Sequence, residues 1–522
     1  MKKINLPAFG EEKYYVNREN SKAVVMSVDS ADKGLFDNYS RLLSERGYEK
    51  KEEYVNGTQH YASFFKDGIG YFLNYYGGIK ELRVVEEDEC NYFSFSDDAG
   101  KSTVAPTLSQ LSLEDFGMSY VIRLSDGRFI IIDGGFNFEE DVDKLYRHLT
   151  NASDGKKPHV ALWIFSHAHE DHFQCFIGFM KKYGEDVTIE KFLLNFPEYN
   201  DLERYPGLAH VSDRFGDVSG VTNIPLMWDG IKKANAEAFM AHTGQKYAVG
   251  DAKMEILAST DDTIHVTNSI NAQALIIRME LGGQTIIWAT DSSFSYTKLC
   301  ERYGEYLKAD ILQIPHHGFQ SGTAEAEIEG YKLISPKVCL LPTDDYIAYT
   351  FFCTFRRGTR FLMTADSVEE IITGSENRTL TLPYAPDSDA KRRLEEKFRL
   401  GLDSDGARAW VFTNLNTAAE DDLSFSVLNT TALPVTVNIE LFFEDKSGLI
   451  KSLRVEVKGS TLKYFNILDD DVEDLSKWFS SASLRKKGIS ENANFAIRFI
   501  CDTPIVVSHK DHQPTYRSVF NG

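Results

Sequence analysis

The chain has 522 residues, 42% hydrophobic and 26% charged, with a formal net charge of −21, and that length implies two or three domains rather than one core. No apolar run approaches the roughly 20 residues of a membrane span, and so acidic a surface disfavours non-specific binding to nucleic-acid phosphates. The start, MKKINLPAFGEEKYY, lacks the apolar run of a secretory signal, and the six cysteines (Cys90, Cys175, Cys300, Cys339, Cys353, Cys501) show no paired spacing, so a reducing cytoplasm is the expected location.

Residues 1–95 read as a small α+β domain. Leu35, Phe36, Tyr39, Leu42 and Leu43 recur at helical spacing. The runs YASFF, IGYFLNYY and KELRVVEE follow, separated by turns at Asn56-Gly57, Asp67-Gly68 and Gly77-Gly78. That alternation predicts an antiparallel meander. No titratable cluster stands out in it, so a packing or partner-binding role is expected. The polar stretch from Ser94 to Ser112 reads as a linker or strap.

From Gly117 the texture changes. YVIRLSDGRFIIIDGGF predicts two strands around Asp126-Gly127, the second ending at Asp133. A helical stretch (Val142, Leu145, Tyr146, Leu149) follows, and then HVALWIF runs straight into SHAHEDH. Acids and histidines at strand ends suit an α/β catalytic layer. His167 and His169 lie two apart on an extended segment and so point to the same side. Asp171 and His172 come next, where a helix is expected to begin. One short loop can thus feed two metal ions, the first pair holding one and the second pair the other.

This pattern resembles the metallo-β-lactamase superfamily, whose His-x-His-x-Asp-His signature stands without a gap at His167, His169, Asp171 and His172. The resemblance spans roughly Leu111 to Tyr384 and implies an αββα sandwich over residues 105–384. It makes Asp133 the acid that orients the ligand loop, and Asp291, in QTIIWATD, the carboxylate shared by both metals. His316 and His317 follow in ADILQIPHHGFQSG. That His-His-Gly motif, with the Asn-containing stretch NSINAQALIIRM before Asp291, resembles the branch holding the nuclease-like domain of DNA-uptake channels and the phosphorylcholine esterases. Phe173, Gln174 and Cys175 stand where the family commonly has glycines, and Thr290 replaces the Gly before the shared Asp. A separate middle histidine is not evident: His210, His242 and His265 are expected to be surface residues.

The resemblance implies His167, His169, Asp171, His172, Asp291 and His316 as metal ligands, with Asp171 and His317 as the catalytic residues. His317 would face the substrate and donate a hydrogen bond or a proton. Two divalent ions, zinc before manganese or iron, would share a hydroxide. The expected activity is hydrolysis of a small or oligomeric substrate, phosphodiesters before carboxylic esters or lactones. A non-catalytic assembly protein that keeps the fold is the alternative. Asp291 could also cap a helix over SSFSYTKL. Arg356, Arg357 and Arg360 could add charge for a phosphate, although a solvated loop is the expected role.

Past NRTLTLPYAPDSD, the charged segment AKRRLEEKFRL predicts a helix that opens a third region, 385–522. There the period becomes two: Leu423, Phe425, Val427; Val435, Val437, Ile439, Leu441; Leu453, Val455, Val457. With FAIRFICDTPIVVSH this predicts a β-sandwich of about 110 residues. Any protein partner is expected to bind through the N- or C-terminal domain.

Overall fold

In the computed structural model the Asn-Gly, Asp-Gly and Gly-Gly turns each reverse the chain, and the N-terminal runs form a meander. The structure describes residues 4–9, 12–16, 23–91, 104–115, 117–195, 220–264, 266–267, 269–350, 352, 357–399, 409–416, 424–429, 433–443, 451–466, 494–501, 505–509 and 516–518. They fall into two compact units, Met1–Ala390 and Lys391–Gly522.

The first six strands are antiparallel, in the order Lys13–Val16, Ala23–Val28, Glu81–Asp88, Ile69–Tyr76, Gln59–Lys66, Glu49–Asn56. Asp32 caps the helix Lys33–Glu45 by accepting from the Leu35 N–H. That helix buries Phe36, Tyr39 and Leu43 against Leu73, Leu82 and Val84 on one face of the sheet. Alternation then puts Glu81, Arg83, Val85 and Glu87 on the other face, which is buried too, against Met240 among others.

Burying that charged face requires partners, and the partners are present. Fully buried Arg83 pairs with Glu81 and Asp262. Arg302 reaches the same Asp262, and lies 3.2 Å from Glu81. His242 bridges Asp261 at 2.7 Å and Glu87 at 3.1 Å. Burial opposes a charge on His242, but Asp261 and Glu87 outweigh it and lift the imidazole to about 10. This corrects two expectations: the N-terminal strands do carry a titratable cluster, and His242 is not a surface histidine.

The middle of the chain builds two sheets. One follows the order Glu237–Met240, Lys191–Leu194, His159–Phe165, Phe129–Asp133, Ser119–Arg123, Thr107–Gln110, Arg378–Thr381. The other runs Lys246–Val249, Ala252–Ala258, Ile276–Leu281, Gln284–Trp288, Ile311–Gln313, Val338–Leu341, Glu370–Thr373. Their inner faces share one core, with Tyr120, Ile130, Ile132, Leu162 and Ile164 from the first and Ile277, Ile286, Trp288 and Leu340 from the second. The helices Glu139–Ala152, Glu170–Tyr183 and Gly220–Ala234 bury their apolar faces on the outside of the first sheet, against Val121, Ile131, Trp163 and Phe165. Helix Ala324–Ile334 makes the crossover between the parallel strands Ile311–Gln313 and Val338–Leu341. Thr107–Gln110, inside the stretch expected to be a linker, is a paired strand. Asp291 caps no helix, because 292–298 is non-helical and the next helix, Leu299–Tyr303, starts after Lys298. Arg357–Thr364 is helical with Arg360 exposed, and Arg356 lies outside the described residues.

The expected charged helix, Ala390–Arg399, begins at the last residue of the first unit, and the second unit continues as two sheets of five and three strands. Phe425 of the smaller sheet packs edge-on against Phe412 and tilted against Phe499 of the larger, with ring centroids 5.6 and 5.2 Å apart. Among the described residues no helix is long and apolar enough to cross a membrane.

Replacing Arg83 by Met leaves two buried carboxylates, Glu81 and Asp262, to share Arg302 and should cost about 3 kcal/mol. The chemical-denaturation midpoint should fall accordingly, whereas Arg147→Met, which breaks an exposed pair with Glu140, should leave it in place. Equal midpoints for the two variants would show that the buried network contributes nothing.

Candidate metal centre

Strand His159–Phe165 lies parallel to Phe129–Asp133, so both deliver their C-terminal ends to the same edge, where loop residues of open sheets form sites. Asp133 ends its strand at φ +58 and is fully buried. Its Oδ1 accepts the Ser166 N–H at 2.7 Å, and its Oδ2 meets Ser166 Oγ and His172 Nδ1, each at 2.7 Å. Trp163 Nε1 donates to the Asp133 carbonyl at 2.9 Å. One carboxylate thereby fixes both the start of the ligand loop and the imidazole at its end. With Nδ1 engaged, His172 turns Nε2 into the site.

The helix Glu170–Tyr183 starts directly after His169, and its first turn rests on the glycines that follow Asp133. Gly135, at φ +93, donates to the His172 carbonyl at 3.2 Å and accepts from Cys175 N–H at 2.8 Å. The bulky residues after His172 are accommodated here: Phe173 enters the core, Gln174 Oε1 accepts from Asn137 N–H at 3.1 Å, and Cys175 packs where Gly134 has no side chain. Burial raises the Cys175 thiol well above its ordinary value, which suits a packing role.

The second sheet supplies the rest. Thr290 takes the left-handed backbone, φ +48, that a glycine would adopt without strain. Its hydroxyl donates to the Leu275 carbonyl at 2.6 Å, which holds that conformation and aims Asp291 inward. His317 donates Nδ1–H to the Pro342 carbonyl at 3.1 Å, so its Nε2 also faces the site.

Two groups of ligand atoms result. Asp171, His172, Asp291 and His317, all buried, form one, and His167, His169 and Asp291 the other, each with its atoms within 4.8 Å of one another. Asp291 belongs to both. His317 Nε2 lies 3.1 Å from Asp171 Oδ2 and 3.2 Å from His172 Nε2. Among the described residues, His167 Nε2 and Asp291 Oδ1 are buried without a hydrogen bond.

The electrostatics fit a cation. Burial opposes charging of the imidazoles, yet Asp291 and Asp171 lift His317 to about 10, and the same acids with Asp133 hold His172 well above its usual range. Asp171 and Asp291 lie well below the usual carboxylate range, because His172 and His317 outweigh the opposing effect of burial. His167 and His169, by contrast, are lowered by burial and stay neutral. Two imidazole nitrogens facing each other across carboxylates, with their other nitrogens already donating, need a proton or a metal between them.

Six expected residues thus converge: His167, His169, Asp171, His172, Asp291 and His317. The geometry reverses the expected division within the histidine pair. His317 lies among the ligand atoms, whereas His316 stands at the rim, 26% exposed, with Nε2 3.9 Å from Asp291 Oδ2. The reason is local backbone: His316 and His317 are both left-handed, φ +49 and +52, which turns adjacent side chains to different sides. Of the middle histidines, His242 belongs to the buried network, and His210 and His265 lie outside the described residues. Ser166 and Asn271, whose Nδ2 donates to His316 Nε2 at 2.8 Å, were missed. Ser166 could have been suspected from its place between the strand and the first histidine.

No protein-family model and no curated protein matches the chain. Similar solved structures include the metallo-β-lactamase fold protein YhfI from Bacillus subtilis, 14% identical over 53% of this chain and 99% of its own, with TM-score 0.32. A metallo-β-lactamase from Cronobacter sakazakii with a HARLDQ motif is 12% identical over 54% of this chain and 77% of its own, TM-score 0.24. The sensory rhodopsin transducer of Anabaena is 20% identical over 20% of this chain and 96% of its own, TM-score 0.16.

Ion binding at neutral pH should release protons, because the metal displaces those held by His172 and His317. Calorimetric titration of the metal-free protein with zinc, in buffers of different ionisation enthalpy, should report at least one proton released per ion entering the four-residue group. A buffer-independent enthalpy would contradict protonated His172 and His317 in the metal-free protein.

Proposed function

We propose that the chain is a metal-dependent hydrolase with a two-ion centre at which Asp291 is shared. The observation that carries this is the pair of converging ligand groups with that one carboxylate in common. Imidazole and carboxylate donors favour zinc over softer or harder ions. Divalent ions held there would supply an acidified water, with a pKa near 7, and Lewis-acid polarisation of a substrate oxygen.

The chain's own residues do the rest. Asp133 and the Pro342 carbonyl lock His172 and His317 with Nε2 inward, so neither has to reorganise during reaction. His169 and His316 are the half-buried members of the site and so mark its open side. His316 is the group placed to meet a substrate oxygen by hydrogen bonding. A phosphodiester is favoured over a carboxylic ester or lactone by the His-His-Gly motif at His316, His317 and Gly318. The net charge of −21 favours a small or oligomeric diester over long nucleic acid. We place the protein in a reducing compartment, since no disulfide joins the described cysteines.

Zinc-loaded protein should hydrolyse bis(p-nitrophenyl) phosphate faster, relative to background, than p-nitrophenyl acetate, simple lactones or nitrocefin. His169→Ala and Asp291→Ala should each lower that rate at least about a hundredfold, or about 2.7 kcal/mol of barrier. His317→Ala should lose bound metal along with rate. A lactone or ester preference would overturn the substrate class alone, and full activity in His169→Ala would overturn the hydrolase.

A further inference from the structure

Asn271 is outside both ligand groups, yet its side chain holds His316. Asn271 opens a short 3-10 turn, Asn271–Gln273, just before the strand Ile276–Leu281. Its Nδ2 donates to His316 Nε2 at 2.8 Å, which puts the proton of the neutral ring on Nδ1. His316 Nδ1 and Asn271 Oδ1 are both buried and make no hydrogen bond among the described residues. Without the amide, His316 Nε2, only 3.9 Å from Asp291 Oδ2, could turn in to join His167 and His169.

The turn that carries Asn271 is itself tied down. Thr260 Oγ1 lies 3.4 Å from the Gln273 carbonyl and 3.2 Å from that of Asn195. Thr260 begins the helix Thr260–Thr263, closed at its start by a capping box between Ser259 and Asp262. That helix carries Asp261 and Asp262, the two acids gripped by His242, Arg83 and Arg302. Leu275 N–H donates to the Ser166 carbonyl at 3.0 Å, which links the same segment to the ligand loop.

We propose that Asn271 is a positioning residue that holds His316 out of the ligand cluster and fixes its ring as the tautomer with the proton on Nδ1. The N-terminal sheet, through Asp261, Asp262 and Thr260, sets the place of Asn271. The kinetic part of this proposal rests on the hydrolase assignment, and the spectroscopic part does not.

The test is a double-mutant cycle on zinc-loaded protein with bis(p-nitrophenyl) phosphate as the probe. Asn271→Ala should keep its metal and lose about tenfold or more in kcat/KM, and in a His316→Ala background the same change should cost nothing further. Independent, multiplying losses would overturn the proposal, as would loss of metal from Asn271→Ala. In parallel, 15N-histidine-labelled protein should show the His316 ring resonances, identified by their absence in His316→Ala, shifted in Asn271→Ala. Those of His167, His169, His172 and His317 should stay in place. Thr260→Val, a milder change remote from the metal ligands, should move the His316 signals in the same direction by less. If wild-type protein cleaves none of the esters while the His316 signals respond as described, the hydrolase assignment fails and the positioning role stands. Unmoved His316 signals would overturn the role whatever the kinetics.

Discussion

A single buried carboxylate organises the site. Asp133 lies at the end of a parallel strand, in a left-handed conformation, with no exposure to solvent. Its oxygens are satisfied only if Ser166 and His172 are where they are. A buried, unpaired carboxylate costs several kcal/mol, so the ligand loop cannot drift without exposing that cost. The strand also places Asp133 next to Trp163 and Phe165, whose packing fixes the level at which the loop leaves the sheet. The preorganisation of His172 is thus inherited from the core rather than built into the loop.

The second sheet reaches the same result by strain. Thr290, His316 and His317 all take positive φ, each at a cost on the order of 1 kcal/mol or more. Three strained residues within a short reach are sustained because the surrounding strands over-determine them: Thr290 through the Leu275 carbonyl, His316 through the Thr290 carbonyl, His317 through the Pro342 carbonyl. The outcome separates two neighbouring histidines, one inside the cluster and one at its edge. The N-terminal sheet joins the same compact unit through four buried acids and their buried basic partners Arg83, Arg302 and His242, with exposed Lys298 reaching Glu81 from the rim. Matched charges make such an interface tolerable in a dry environment and fix its register.

What was legible in the chain follows the range of the interactions. The cluster from His167 to His172 was visible because its members are neighbours in sequence on a strand-to-helix junction. Asp133 and Asp291 were visible from their places at strand ends, in the order that the family resemblance implies. The division of labour between His316 and His317 was not, because it depends on two successive left-handed residues whose cause lies in carbonyls of other strands. His242 misled for the same reason: its partners Glu87 and Asp261 are 155 and 19 residues away. Glu81, Arg83 and Glu87 alternate with apolar residues as a solvent-facing strand would, and only the covering layer shows them to be buried. Thr107–Gln110 is short, and its pairing with Arg378–Thr381 spans most of the first unit.

On this reading Asp171, His172, Asp291 and His317 hold an ion and His316 does not. Anomalous diffraction at the zinc edge, from crystals of zinc-loaded protein, addresses it directly. The expected result is a peak bonded to His172 Nε2, His317 Nε2 and the two carboxylates, with a second ion, where present, beside His167 and His169. An ion coordinated by His316 in place of His317, or no peak among these residues at saturating zinc, would contradict it.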